Sequence, residues 1–215
     1  MKINYAIYFI ILYFFSTNIF LLDKNILKNN KSFILSNFVI IIFFYVFAFE
    51  IVANPNLSWD CKFHWYLKSL NFYQDLGIRN LYFLPKYEYP HFGTFLWALF
   101  WKFNTIQHEY FGRLFYLFLY LLSIISFVEI FETNRKNKII IFAIISIISF
   151  NHQNFFGNQD ILVFSLVVFL SKYIYLIFEK KNDVLLNYIL IFLISNIILW
   201  IKYESFIFVL ILYIF

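Results

Sequence analysis

Cysteine is almost absent from this chain: Cys61 is the only one among 215 residues. That excludes an internal disulfide and a cysteine-based metal cluster. Charge is scarce too, at 13% of residues. The four glycines and three prolines build no Gly/Ser-rich or Pro-rich linker, and no internal repeat occurs, so residues 1–215 read as a single domain. Missing motifs narrow the chemistry further: there is no Walker loop, no HExxH and no GxSxG. His64, His91, His108 and His152 stand at irregular spacing and form no metal-ligand pattern. No cofactor is called for, and no pattern indicates a divalent metal.

Apolar residues, by contrast, make up 63% of the chain, against about 45–50% in ordinary globular proteins. Several runs reach the length of about 20 residues that crosses a bilayer as a helix. An all-α, polytopic transmembrane helix bundle is the expected fold class. The formal net charge of +5 then has a membrane meaning. Most basic residues fall in short loops, where they orient helices and meet anionic lipid headgroups rather than nucleic acid. The abundance of Phe, Ile, Asn and Lys suits an AT-rich genome and is no binding signature.

Spans are expected at 3–22, 33–53, 110–131, 139–150, 161–178 and 184–201, with a seventh begun at 205. The run at 139–150 is short and borrows Asn151 to Phe156 if it is to cross. The run at 3–22 lacks a small-residue cleavage site and reads as a retained span. The loops at 23–32, 132–138 and 179–183 carry the lysines and arginines, so they belong on the cytoplasmic side. Parity puts residues 54–108 outside, as an external loop carrying interfacial helices. The segment FGTFLWALFWKF, 92–103, is too short to cross, and its Trp97, Trp101 and Lys102 suit the interface. Because an apolar run is still in progress at Phe215, the chain is expected to be the N-terminal part of a longer protein.

Within that loop Asp60, His64, Lys68, Asn71 and Asp75 recur at steps of four, four, three and four. An amphipathic helix follows, with this polar stripe facing up and Phe63, Leu67 and Leu70 on the opposite side. It can be a plain surface helix with Asp60 as its N-cap, or the start of a catalytic loop with Asp60 as a base. Asp160, at the outer end of span 161–178, is likewise an N-cap candidate. Lys202 and Glu204 in WIKYES can be interfacial anchors or site residues.

In order along the chain come an acidic residue in the first large outer loop, YEYPHFGTFLWALFWKF (87–103), an external Arg in EYFGRLFYLFLY (109–120), GNQDILVFSLVVFL (157–170) and LWIKYESFIFVL (199–210). Together they resemble the C-type membrane glycosyltransferases, GT-C, whose relatives include protein O-mannosyltransferases and the bacterial enzymes that decorate lipid A. The likeness covers about residues 33–210. It departs from the family pattern at His91, where a second proline is usual, and at Ser205, where glycine is usual.

The resemblance implies transfer of a sugar from a polyprenyl-phosphate lipid to an acceptor hydroxyl on a lipid or glycan, with inversion. The enzyme would lie in the bacterial inner membrane among membrane lipids, with its catalytic loop on the non-cytoplasmic side. Asp60 would be the base, ahead of Asp75. Arg113, Lys86 and Lys202 would hold the phosphate, in that order. Asp160 and Glu204, with Tyr89 and His91, would bind sugar or acceptor. Two other classes stand against it: a transporter or flippase, with broken helices and charges near the midplane, and a membrane scaffold whose outer acids never converge.

Overall fold

The computed structural model describes residues 31–103, 108–179 and 184–214; the expected span at 3–22 lies outside the described residues. The chain divides into two compact units, Met1–Ile42 and Phe43–Phe215. The candidate site lies wholly within the second unit. Among the described residues every regular element is helical. They are α1 (Lys31–Ala53), α2 (Tyr66–Tyr73), α3 (Phe92–Lys102), α4 (Tyr110–Val128), α5 (Arg135–Ser149), α6 (Asp160–Phe178), α7 (Val184–Ile201) and α8 (Phe206–Ile214). A π-helical turn, Cys61–Trp65, leads into α2, and short 3₁₀ turns lie at Ile78–Phe83, His152–Phe155 and Tyr203–Ser205.

Three of these helices, α4, α6 and α7, are long and apolar enough to cross a membrane. They pack in the order α4, α6, α7, with α5 against α4. Of the window that could span, 56% of α4 is buried, against 28% for each of α6 and α7. Helix α4 is therefore the interior strut, while α6 and α7 turn most of their surface outward. On α7 that surface includes Tyr188, Ile189, Phe192 and Leu193, all exposed. In water such a face would be a liability, but lipid solvates it without penalty.

Helix α5 departs from the sequence reading. At 15 residues it falls short of a bilayer crossing, and the residues it was expected to borrow do not extend it. Phe150 and Asn151 are in extended conformation, and the Asn151 side chain accepts from the Gln153 amide to start its own 3₁₀ turn. A local side-chain acceptor thus outcompetes continuation of the helix.

The loop helices rest on Trp97 of α3, which is fully buried and donates its indole N–H to the Glu109 carbonyl at 2.9 Å. Two glycines make room for that ring. A Cβ on Gly112 would lie 2.0 Å from the Trp97 side chain, and one on Gly157 would lie 2.2 Å from Cys61 Sγ and 2.6 Å from Trp97. Gly157 also has φ +89°, where L side chains are strained. Gly157→Ala should therefore destabilise the fold by about 1–3 kcal/mol through overpacking, with ~1 kcal/mol or more added for the backbone. Gly77→Ala, with no atom within 4 Å of the new methyl, is the control and should melt like the parent in detergent. Equal melting temperatures for the two variants would contradict this packing.

Candidate functional site

Four segments distant in sequence meet in one cleft of about 210 Å³. Its first wall comes from the π turn. Ser58 caps that turn, its hydroxyl accepting from the Cys61 amide at 3.1 Å, so Asp60 is not the cap: it makes no capping hydrogen bond. Asp60 is exposed instead, and it lines the cleft beside His64 and Trp65. The Ser58 hydroxyl also bonds the Asn158 side chain, and the Ser58 amide bonds the Phe156 carbonyl at 3.0 Å. These two links tie the start of the loop helix to the turn before α6.

That turn brings Asn158 and Asp160 into the cleft. Asp160 opens α6 as its first residue rather than capping it, and the position before it, Gln159, makes no capping bond either. A carboxylate in the first turn is favoured by the helix dipole. Here it also meets Lys202, whose Nζ lies 2.7 Å from Asp160 Oδ1. Lys202 reaches this position because α7 ends at Ile201 and Lys202 is extended, with φ −154° and ψ 130°. Partial burial works against its charge, but the bond to Asp160 and the nearby Glu204 prevail and hold its pKa above the ordinary lysine value.

The third wall is the segment before α3, which contributes Lys86 and Tyr89. The Tyr89 hydroxyl donates to Glu204 Oε1 at 3.0 Å, and Tyr203 donates to the Glu88 carbonyl at 2.8 Å. The bond to the Glu204 carboxylate pushes the Tyr89 phenol up, so it stays a donor. Lys86 is exposed and adopts the left-handed backbone, φ 54°. Its ammonium sits 5.8 Å from the Tyr89 ring centroid.

Six of the eight residues expected to form the site thus share this cleft, Asp60, Lys86, Tyr89, Asp160, Lys202 and Glu204, together with His64 of the polar stripe. Two do not line it. Arg113 is fully buried and gives all its N–H groups to protein acceptors. They go to Glu109 (2.6 and 3.1 Å) and to the carbonyls of Pro55, Asn56 and Phe155 (3.1, 3.2 and 3.0 Å). Burial raises the Glu109 pKa and Arg113 only partly offsets this. Arg113 has no donor left for a phosphate; it fastens two loops to α4. His91 lies at the start of α3, where burial and the neighbouring Lys68 lower its pKa. Asp75 pairs with Lys102 and is not part of the cleft.

Sequence reasoning did not find Trp65 or Asn158 as lining residues, and it misread the loop helix. The stripe expected to face outward turns inward at Lys68 and Asn71, both buried, while Phe63 is half exposed. The cause is the π turn, in which the Tyr66 amide bonds Cys61, five residues back. A wider turn breaks the four-residue spacing on which the stripe was built. Trp65, five residues after Asp60, comes to the cleft for the same reason. Asn158 is the second residue of the GNQD motif itself and was open to discovery there. Cys61 is buried, which pushes its thiol up to about 12, so it is inert at neutral pH.

A second, more apolar cleft of about 280 Å³ shares Asn158 and Asp160 with the first and continues along Tyr120 of α4 and Ile161 and Phe164 of α6. Among the described residues no group of three His, Cys, Asp or Glu side chains is placed to hold a metal ion. Comparison of the chain with family models, with curated proteins and with solved structures gives no match.

Proposed function

We propose that this chain is an inverting membrane glycosyltransferase of the GT-C kind. It would take a sugar from a polyprenyl-phosphate lipid and join it to an acceptor hydroxyl. One observation carries the reading: acids and lysines drawn from residues 60, 86, 160, 202 and 204 line a single cleft about the size of one sugar ring. A scaffold without chemistry gives no reason for that convergence. The adjoining apolar cleft along α4 and α6 supplies a path for the isoprenoid chain.

In this reaction Asp60 accepts the proton of the acceptor hydroxyl as its oxygen attacks the anomeric carbon. The bond from that carbon to the phosphate oxygen breaks, its electron pair leaves with the phosphate, and the configuration inverts. Lys86 and Lys202 stabilise the growing phosphate charge, with Asp160 holding Lys202 in place. Glu204 accepts hydrogen bonds from sugar hydroxyls, and Tyr89, whose own proton is on Glu204, accepts from them through its hydroxyl oxygen. With Arg113 committed to the loops, phosphate binding rests on the two lysines as point charges rather than on a guanidinium fork.

A multi-pass topology in the bacterial inner membrane, with the cleft on the non-cytoplasmic face, belongs to the same reading. Its first test is labelling. Asp60→Cys and Asp160→Cys, in sealed cells, should both react with an impermeant maleimide, the buried Cys61 giving no background; reaction from opposite sides would end the case for one site. The second is turnover. Purified chain, given isoprenyl-phosphate hexoses, pentoses and amino sugars, should release isoprenyl phosphate only when an acceptor alcohol is present. Intact donors across that series would refute the assignment.

A further inference from the structure

Behind the cleft wall lies a charge that does not itself line the cleft. Lys68 of α2 is fully buried, yet its ammonium is held. It donates to the Lys86 carbonyl, and to the Tyr89 carbonyl at 3.2 Å. Its Nζ is 5.7 Å from the Trp65 ring centroid and 6.0 Å from that of Tyr89. Trp65, Lys86 and Tyr89 all line the cleft, so the charge stands one side chain behind the surface a ligand would meet.

We propose that Lys68 is the positioning residue of this site and its third positive charge: it clamps Lys86 and Tyr89 into the wall and adds to the attraction for a phosphate anion. This rests on the function proposed above. Three features support it beyond simple packing. A buried ammonium is costly unless bonded, and both protein acceptors used are carbonyls of the segment that presents Lys86 and Tyr89. The left-handed backbone at Lys86 is a conformation that needs such a hold. A charge acting through protein is screened far less than one acting through water.

The clamp is also sensitive to pH. Burial pulls the Lys68 ammonium down to about 8, and Glu88 only partly restores it. The other ionisable groups around it are His91 at the start of α3, Tyr89 and Lys86 on the clamped segment, and His64 in the π turn that leads into α2. The shifts of His91 downward and of Tyr89 and Lys202 upward move all three away from this range. Below about 8 Lys68 is charged, and above it neutral. The unfolded chain keeps this proton to higher pH than the folded one, so Lys68 makes the fold more stable, not less, as pH rises through that window. The titration of Lys68 therefore does not by itself unfold the chain there.

The test uses the full chain in detergent and a farnesyl methyl phosphodiester, whose single negative charge is constant over the range. Its affinity, followed by tryptophan fluorescence, should fall about fivefold to tenfold between about pH 7 and about pH 9, the scale of one unit charge acting through protein. Lys68→Met should bind that much more weakly at pH 7 and show no step, while Lys68→Arg should keep the affinity and lose the step. The wild-type profile stands even if neither variant folds. Binding that is flat with pH in the wild type, or unchanged in Lys68→Met, overturns the role of Lys68 and leaves the transferase reading intact. No binding to the wild type at any pH overturns both.

Discussion

Asp60→Asn is expected to lower sugar transfer by about 10²–10⁴-fold, the usual share of a positioned base, with insertion and melting temperature unchanged. The isosteric amide keeps the shape of the side chain and removes its ability to take a proton. Because Asp60 is exposed and makes no capping bond, only its small, solvent-screened interaction with the helix dipole depends on its charge. Asp75→Asn is the matched control: Asp75 pairs with Lys102 outside the cleft, so transfer should stay within a few-fold of the parent. Donor binding separates the step from recognition. A base is needed for the attack, so Asp60→Asn should bind the isoprenyl-phosphate sugar as well as the parent while turning it over slowly. Full activity in Asp60→Asn would remove the base from the mechanism.

Arg113→Met should be the most damaging substitution in the fold, at about 3–5 kcal/mol, the cost of removing one partner of a buried ion pair. It leaves the Glu109 carboxylate, side-chain exposure 18%, without its cation, and it strips the carbonyls of Pro55, Asn56 and Phe155 of a donor. Those carbonyls belong to the two segments that deliver Asp60 and Asp160, so the cleft should come apart with the fold. Thermal melting in detergent measures the loss. Arg113→Met combined with Glu109→Met should recover part of it, since no charge is then stranded. If Arg113→Met melts within a degree or two of the parent yet no longer binds the phosphodiester, Arg113 is a ligand group and not a fastener of the two loops.

Much of the helical layout was legible because its signal is additive along the chain. Apolar runs placed α4, α6 and α7 to within a few residues, and the short α3 followed from its length and its Trp97, Trp101 and Lys102. Elements decided by one local competition were less legible. The end of α5 turns on whether Asn151 bonds its own backbone, and the facing of α2 turns on a single wider turn at Cys61–Trp65. Neither event leaves a periodic trace. The choice between Lys86, Lys202 and Arg113 was closed to the sequence for a related reason. All three are cations near the expected membrane face, and only the geometry of acceptors shows that one of them is fully used.

By itself the sequence determined a helical chain with runs suited to lipid, and it marked the acids and lysines worth watching, because hydropathy and residue type are properties of each position alone. Which of those side chains meet, which way the loop helix faces, and that Lys68 lies buried behind Tyr89 were decided only in three dimensions. Such outcomes depend on competition among distant partners for the same hydrogen bonds, and no single stretch of the chain contains both competitors.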